Sequence, residues 1–131
     1  MSLVSRIHHV SLICSDTPAA LGFYRDLLGL PVLADRPDLG YPGAWLGIGE
    51  RQIHLMELPN PDPVSGRPSH GGRDRHLALE VTDLDQLILR LGSAAIPFTA
   101  SRSGRRALFC RDPDGNALEF VEVGSPSVDR D

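Results

Sequence analysis

HLALEVTD, residues His76 to Asp83, decides how the chain is read, because HVSLICSD, residues His9 to Asp16, precedes it as a near copy. Each stretch runs from a histidine through alternating apolar and small residues to an aspartate, and one spacing carries both His9 onto His76 and Asp16 onto Asp83. Downstream, Leu21 falls opposite Ile88 and, after a slip of one residue, Pro31 falls opposite Pro97. At the far end QIHLMEL (Gln52 to Leu58) aligns with ALEFVEV (Ala117 to Val123), which sets His54 against Glu119 and Glu57 against Glu122. The chain therefore reads as one supersecondary unit used twice, with a polar, metal-competent side chain near both ends of each copy.

The bulk numbers bound what such a chain can be. At 131 residues it has the length of one ordinary domain and enough chain for a hydrophobic core. A composition 41% hydrophobic and 23% charged is that of a folded domain rather than a disordered segment. A net charge of −4 and a pI near 5.7 leave no basic footprint, which argues against nucleic acid as the main partner. No apolar run approaches the roughly 20 residues of a membrane helix, and no basic-then-apolar leader opens the sequence, so no membrane partner and a cytoplasmic location are expected. Cys14 and Cys110 are the only cysteines, too few for a disulfide scaffold and better read as reduced core thiols.

Local patterns predict the elements of each copy. Residues 7–14 alternate as a half-buried strand. Ser15-Asp16-Thr17-Pro18 then supplies capping residues and a first-turn proline, and Ala20, Phe23, Tyr24, Leu27 and Leu28 give a helix over 19–28 that Gly29 ends. Strands are expected at about 31–35, 43–48 and 51–58. The second copy predicts a strand at 75–82, a helix at 84–92 on Leu84, Leu87, Ile88 and Leu91, and strands at 97–99, 106–111 and 117–123, with Asp112-Pro113-Asp114-Gly115 as a tight hairpin. PNPDPVSGRPSHGGRD, residues 59–74, has no apolar period and reads as a long inter-module linker, either a tether or functional. The expected layout is a first βαβββ module over 5–58, the linker over 59–74, a second βαβββ module over 75–123 and a frayed tail over 124–131. Since one copy alone leaves a sheet face uncovered, modules must pair, within the chain or between chains, and the chain is expected to be one α+β structural domain.

Strand alternation then sorts the side chains by face. His9 and Ser11 share a face, as do His54 and Met56, His76 and Ala78, and Glu119 and Val121. The opposite faces carry Val10 and Leu12, Ile53 and Leu55, Leu77 and Leu79, and Leu118 and Phe120, which suit packing under the helices. A lone histidine is more often packed or exposed than ligating, but three histidines and a glutamate at matching repeat positions suit one divalent ion, with Zn, Ni, Fe, Mn and Co all compatible. His9, His54, His76 and Glu119 are the candidate metal ligands. His8 neighbours His9 but should point the other way.

IHHVSLICSD, FYRDLLGLPV (Phe23 to Val32), RHLALEV and FCRDPDGNALEF (Phe109 to Phe120) resemble the hallmark segments of the vicinal oxygen chelate superfamily, also called the glyoxalase/bleomycin resistance/dioxygenase superfamily. The resemblance spans about residues 5–123 and is most specific in the last segment. It implies two paired βαβββ modules forming a curved mixed sheet around a cavity, helices outside, and ligands from the first and last strands of each module. The same resemblance implies a small oxygen-chelating substrate and a homodimer.

The reaction is left open by the residues. Lactoylglutathione lyases usually carry Glu at the position of His54, so His54 is a departure; it is either a fourth ligand or a base suited to proton transfer near neutrality. Fosfomycin-type thiol transferases resemble this chain in the triad His9, His76 and Glu119 and in a hydroxyl at Ser11, which implies substrate contact there and a possible thiol cosubstrate. Phe109 stands where their substrate-binding Tyr is expected. Extradiol dioxygenases use a similar His, His and Glu set for Fe(II), and bleomycin-binding relatives bind drug without a metal. The first expectation is metal-assisted proton transfer by a lyase or isomerase, with His54 and Glu119 as the catalytic groups. Ser11, Met56, Arg106 and Phe109 are the substrate-binding candidates, Met56 as apolar wall or core and Arg106, with Arg102 and Arg105, as a holder of an anionic group or a solvated charge.

Overall fold

The structure, a computed structural model, describes residues 1–124, so the tail expected after Gly124 lies outside the described residues. The chain divides into two compact units, Met1–Asp62 and Pro63–Asp131. In the first, β1 (His9–Cys14) leads through α1 (Thr17–Leu21) to β2 (Gly43–Ile48) and β3 (Arg51–Glu57). In the second, β4 (His76–Val81) leads through α2 (Leu84–Ser93) to β5 (Phe98–Ala100), β6 (Ala107–Arg111) and β7 (Ala117–Glu122). The class is α+β, with a three-stranded sheet ordered β1-β3-β2 and a four-stranded sheet ordered β4-β7-β6-β5. No helix among the described residues is long and apolar enough to cross a membrane.

Each sheet is mixed, and the mixing is what brings the ends of a repeat together. β1 pairs parallel with β3, setting His9 beside Gln52 and Ser11 beside His54. β4 pairs parallel with β7 in the equivalent register, His76 beside Ala117 and Ala78 beside Glu119. The antiparallel neighbours then put Trp45 across from His54 and Phe109 across from Glu119. With side chains alternating along each strand, the other face carries Leu46, Ile53 and Leu55 in the first unit and Leu108, Leu118 and Phe120 in the second, all buried. The helices supply buried Ala20 in α1 and buried Leu84, Leu87 and Leu91 in α2.

The repeat extends to how the helices begin. Asp16 caps α1 by accepting from Ala19 N at 3.0 Å, and Asp83 caps α2 by accepting from Gln86 N at 3.0 Å. A glutamate on the last strand of each unit satisfies a further helix-start donor. Glu57 Oε1 accepts from Thr17 N at 2.7 Å and from Thr17 Oγ1 at 2.9 Å, and Glu122 Oε2 accepts from Leu84 N at 2.9 Å. Carboxylates there also meet the positive end of the helix dipole. Glu57→Ala should therefore cost about 1–2 kcal/mol of stability, read by urea unfolding; a change within a few tenths would mean the bonds are idle.

Two expected elements take another form. The strand at 31–35 reduces to one bridge, Val32 to Leu46, flanked by the bonds Gly47 N to Pro31 O and Leu33 N to Trp45 O. Pro31 has no N–H to extend the ladder, and Pro37 follows soon after. The helix expected over 19–28 is α-helical only to Leu21 and continues as a π-helix over Gly22–Leu27. Leu28 N reaches back to Phe23 O, and the widened turn leaves Phe23 and Tyr24 both buried, edge to face at 4.9 Å.

Candidate functional site

In the first unit the polar face is an aromatic stack. The ring of His54 lies between Trp45, 4.2 Å away and 8° from parallel, and His9, 3.9 Å away and 17° from parallel. His54 Nε2 stands 2.7 Å from Gln52 Oε1, two residues back on the same strand face. An amide oxygen only accepts, so Nε2 carries the proton and Nδ1 keeps the lone pair. Burial, with the charges of His9, His8 and Arg36 added, holds the His54 pKa below the ordinary imidazole value, so the ring is neutral at pH 7. His9 is more exposed, and its Nδ1 meets His8 Nδ1 at 2.9 Å. His8 reaches it because it precedes β1, where strict alternation does not yet apply.

In the second unit the polar face pairs an imidazole with a buried carboxylate. His76 Nδ1 is 2.9 Å from the Asp74 carbonyl, which can only accept, so Nδ1 bears the proton that this bond needs. Nε2 lies 3.3 Å from Glu119 Oε1. For a neutral ring that approach sets a lone pair against a carboxylate, a repulsion that a shared cation or a second ring proton removes. Two ligands bound to one ion at about 2.0–2.2 Å sit roughly 3.0–3.4 Å apart, so the pair fits a divalent metal in both chemistry and spacing. Glu119 is 3% exposed, and its second oxygen takes a hydrogen bond from Arg105 Nη2 at 3.1 Å.

The His76 carbonyl partner is itself clamped. Asp74 accepts from Arg67 Nε at 2.8 Å and Nη2 at 2.7 Å, from Arg111 Nη1 at 2.8 Å and from Arg75 N at 2.8 Å. The Arg67 hydrogen bond leads in holding the Asp74 carboxyl far below the usual carboxylate range. Arg111 also donates to Pro68 O and Gly115 O, so residues 63–74 are tied to the second sheet. A short 3₁₀ turn, Gly71–Arg73, seats Gly71 so close to Phe109 and Ala117 that an added Cβ would meet both at 3.3–3.4 Å.

The candidates thus resolve into two pairs, His9 with His54 and His76 with Glu119. Among the described residues no group of three or more His, Cys, Asp or Glu side chains is placed to hold a metal together. Ser11 sits beside His54 in register and Ile13 beside Met56. Phe109 meets the rings of His76 and His70 edge to face at 5.1 and 4.9 Å. Arg106 is bound to Asp85 and Glu122 at the start of α2; the guanidinium that reaches Glu119 is Arg105. Gln52, Asp74 and Arg111 were not singled out by the sequence, although Gln52 is legible two residues before His54. Cys14 and Cys110 are buried and form no disulfide, and burial pushes the Cys110 thiol up to about 12, which removes it as a nucleophile.

Comparison with known proteins agrees with this layout. The model of the Glyoxalase/Bleomycin resistance protein/Dioxygenase superfamily matches residues 6–120. The uncharacterised protein YwkD of Bacillus subtilis is 34% identical over 92% of this chain and 98% of its own. A lactoylglutathione lyase from Agrobacterium tumefaciens superposes with a TM-score of 0.65 at 26% identity, covering 92% of this chain and 96% of the other. A glyoxalase family structure from Bacillus anthracis gives 0.77 at 23% identity, covering 93% and 98%, a likeness of fold.

Proposed function

Because the chain belongs to the glyoxalase/bleomycin resistance/dioxygenase superfamily, we propose that it is a metal-dependent lyase or isomerase that moves a proton on a small substrate with neighbouring oxygens. The observation that carries the reading is the His76–Glu119 pair, with one imidazole nitrogen fixed by Asp74 O and the other 3.3 Å from a buried carboxylate. His76 and Glu119, with His9 from the matching position of the first repeat, are the proposed ligands. The metal is one of Zn, Ni, Fe, Mn or Co, which this donor set accepts alike. When bound, such an ion supplies Lewis acidity toward the substrate oxygens.

His54 is the proposed base. Its ring lies face to face with His9, so the in-plane lone pairs of the two run side by side instead of converging on one point. Its lone pair on Nδ1 is free of a proton at neutral pH, and Gln52 fixes the tautomer. His54 Nδ1 takes the proton from the carbon beside the substrate oxygens and returns it to the neighbouring position. Ser11, Met56 and Phe109 are the proposed substrate contacts. Arg105 stands nearer than Arg106 as the cation of this face. A homodimer belongs to the proposal.

His54→Gln separates base from ligand. Metal affinity measured by calorimetry should stay within about threefold of wild type, whereas losing a ligand costs more than the roughly 10–100-fold typical of a supporting residue. A loss of that larger size makes His54 a ligand. Two other reactions, thiol addition to an epoxide and oxidative ring cleavage, use similar donors and are tested by substrate screens on the loaded protein. The Trp45–His54–His9 stack favours one reading of another class, a metal-free binder of planar small molecules.

A further inference from the structure

We propose that Arg105 is a displaceable cationic latch on Glu119, holding the carboxylate in the metal-free chain and yielding it to a divalent ion. The inference rests on the metal reading above and adds a competitor to it. Glu119 is 3% exposed, and a carboxylate taken that far from water needs a cation or strong donors. His76 has its Nδ1 directed to Asp74 O. Arg105 Nη2, 3.1 Å from Glu119 Oε2, provides the charge.

The surroundings of Arg105 suit a group that leaves. Its side chain is 59% exposed, so withdrawal returns the guanidinium to water at little desolvation cost. It lies in the loop between β5 and β6, ahead of Ala107, and moving it breaks no strand pairing. Ser103 Oγ accepts from both Arg105 N and Arg105 Nε at 3.2 Å. The hydroxyl thus steadies the base of the side chain and leaves the Nη2 end to engage or release Glu119. A divalent ion on Oε1 and a guanidinium on Oε2 would repel each other across one carboxylate.

The test is calorimetric titration of the purified chain with Ni²⁺ alone and with Mn²⁺ alone, for wild type, Arg105→Gln and Arg105→Lys. Arg105→Gln should bind either ion about tenfold more tightly than wild type, with the gap narrowing as salt rises. Arg105→Lys, which keeps the charge, should stay near wild type. The metal-free Gln variant should also melt lower than wild type and gain more on loading, because the ion replaces the lost cation. Weaker or unchanged binding in Arg105→Gln overturns the latch, since it would make Arg105 a support that orients Glu119 or a bystander. If wild type binds and the Gln variant is no tighter, the latch fails and the metal reading stands. If neither protein binds, both fail. Binding by the Gln variant alone supports the latch in its strongest form.

Discussion

Asp74→Ala should lower folding stability by about 2 kcal/mol, the size expected when a charged acceptor in a part-buried ion cluster is removed and its donors stay behind. The Asp74 side chain is 8% exposed, and the guanidiniums on it, Arg67 and Arg111, are 17% and 25% exposed. Removing the carboxylate takes away two guanidinium bonds from Arg67, one from Arg111 and the one from the N–H of Arg75. The pH dependence follows from the depressed pKa of Asp74. The unfolded chain takes up this proton near the ordinary value of about 3.9 and the folded chain only well below it. The stabilisation is thus fully present above about pH 4–5 and is lost as pH falls further, and Asp74→Ala should flatten that acid limb. Urea unfolding at pH 7 and at pH 3.5 measures both effects. A loss under about 1 kcal/mol at pH 7 would reduce the cluster to an ordinary surface pair. The variant should also weaken metal binding, because the Asp74 side-chain bonds hold in place the backbone whose carbonyl fixes the His76 tautomer.

Glu119→Gln should reduce affinity for a divalent metal by at least about 100-fold, since even partners behind a ligand are worth about 10–100-fold. The substitution keeps volume and removes the anionic oxygen that faces His76 Nε2. Folding should change little, because a buried charge disappears along with its link to the exposed Arg105. Calorimetric titration with Ni²⁺ reads the affinity, and thermal melting shows that the variant is intact. A folded Gln variant that binds like wild type would remove Glu119 from the ligand set.

Much of this was legible because it is periodic. The paired motifs at His9 and His76 gave the repeat, and alternation placed Ile53, Leu55, Leu118 and Phe120 on the buried face. Asp16 and the Asp112–Gly115 turn are recognised by residue type, and the turn forms with Gly115 at φ +83°. The register that sets His54 beside Ser11 and Glu119 beside Ala78 comes from the parallel pairing of first with last strand in both copies, which the residue pattern does not state.

What escaped the sequence is aperiodic. Asp74 lies between Arg73 and Arg75 in a Pro- and Gly-rich stretch and reads as one more solvated charge; its real partners, Arg67 and Arg111, belong to a loop and to a distant strand. Arg106 was preferred over Arg105 where the chain is still a loop, so a period of two gave no guidance. The π-helical turn after Leu21 is hidden because Ala20, Phe23, Tyr24 and Leu27 fit an α-helical stripe equally well. The stack of His9, His54 and Trp45 needs the antiparallel register of β2 on β3, which no local pattern encodes.

The most direct test is elemental analysis of protein purified without added metal, wild type beside His76→Ala and Glu119→Ala. About one divalent ion per chain in wild type, lost in both variants, is the predicted result for ligands that act together. No metal in wild type, with no uptake of Ni, Mn, Fe, Co or Zn above about pH 7 where histidines are neutral, would contradict it and leave the chain a binder of small molecules.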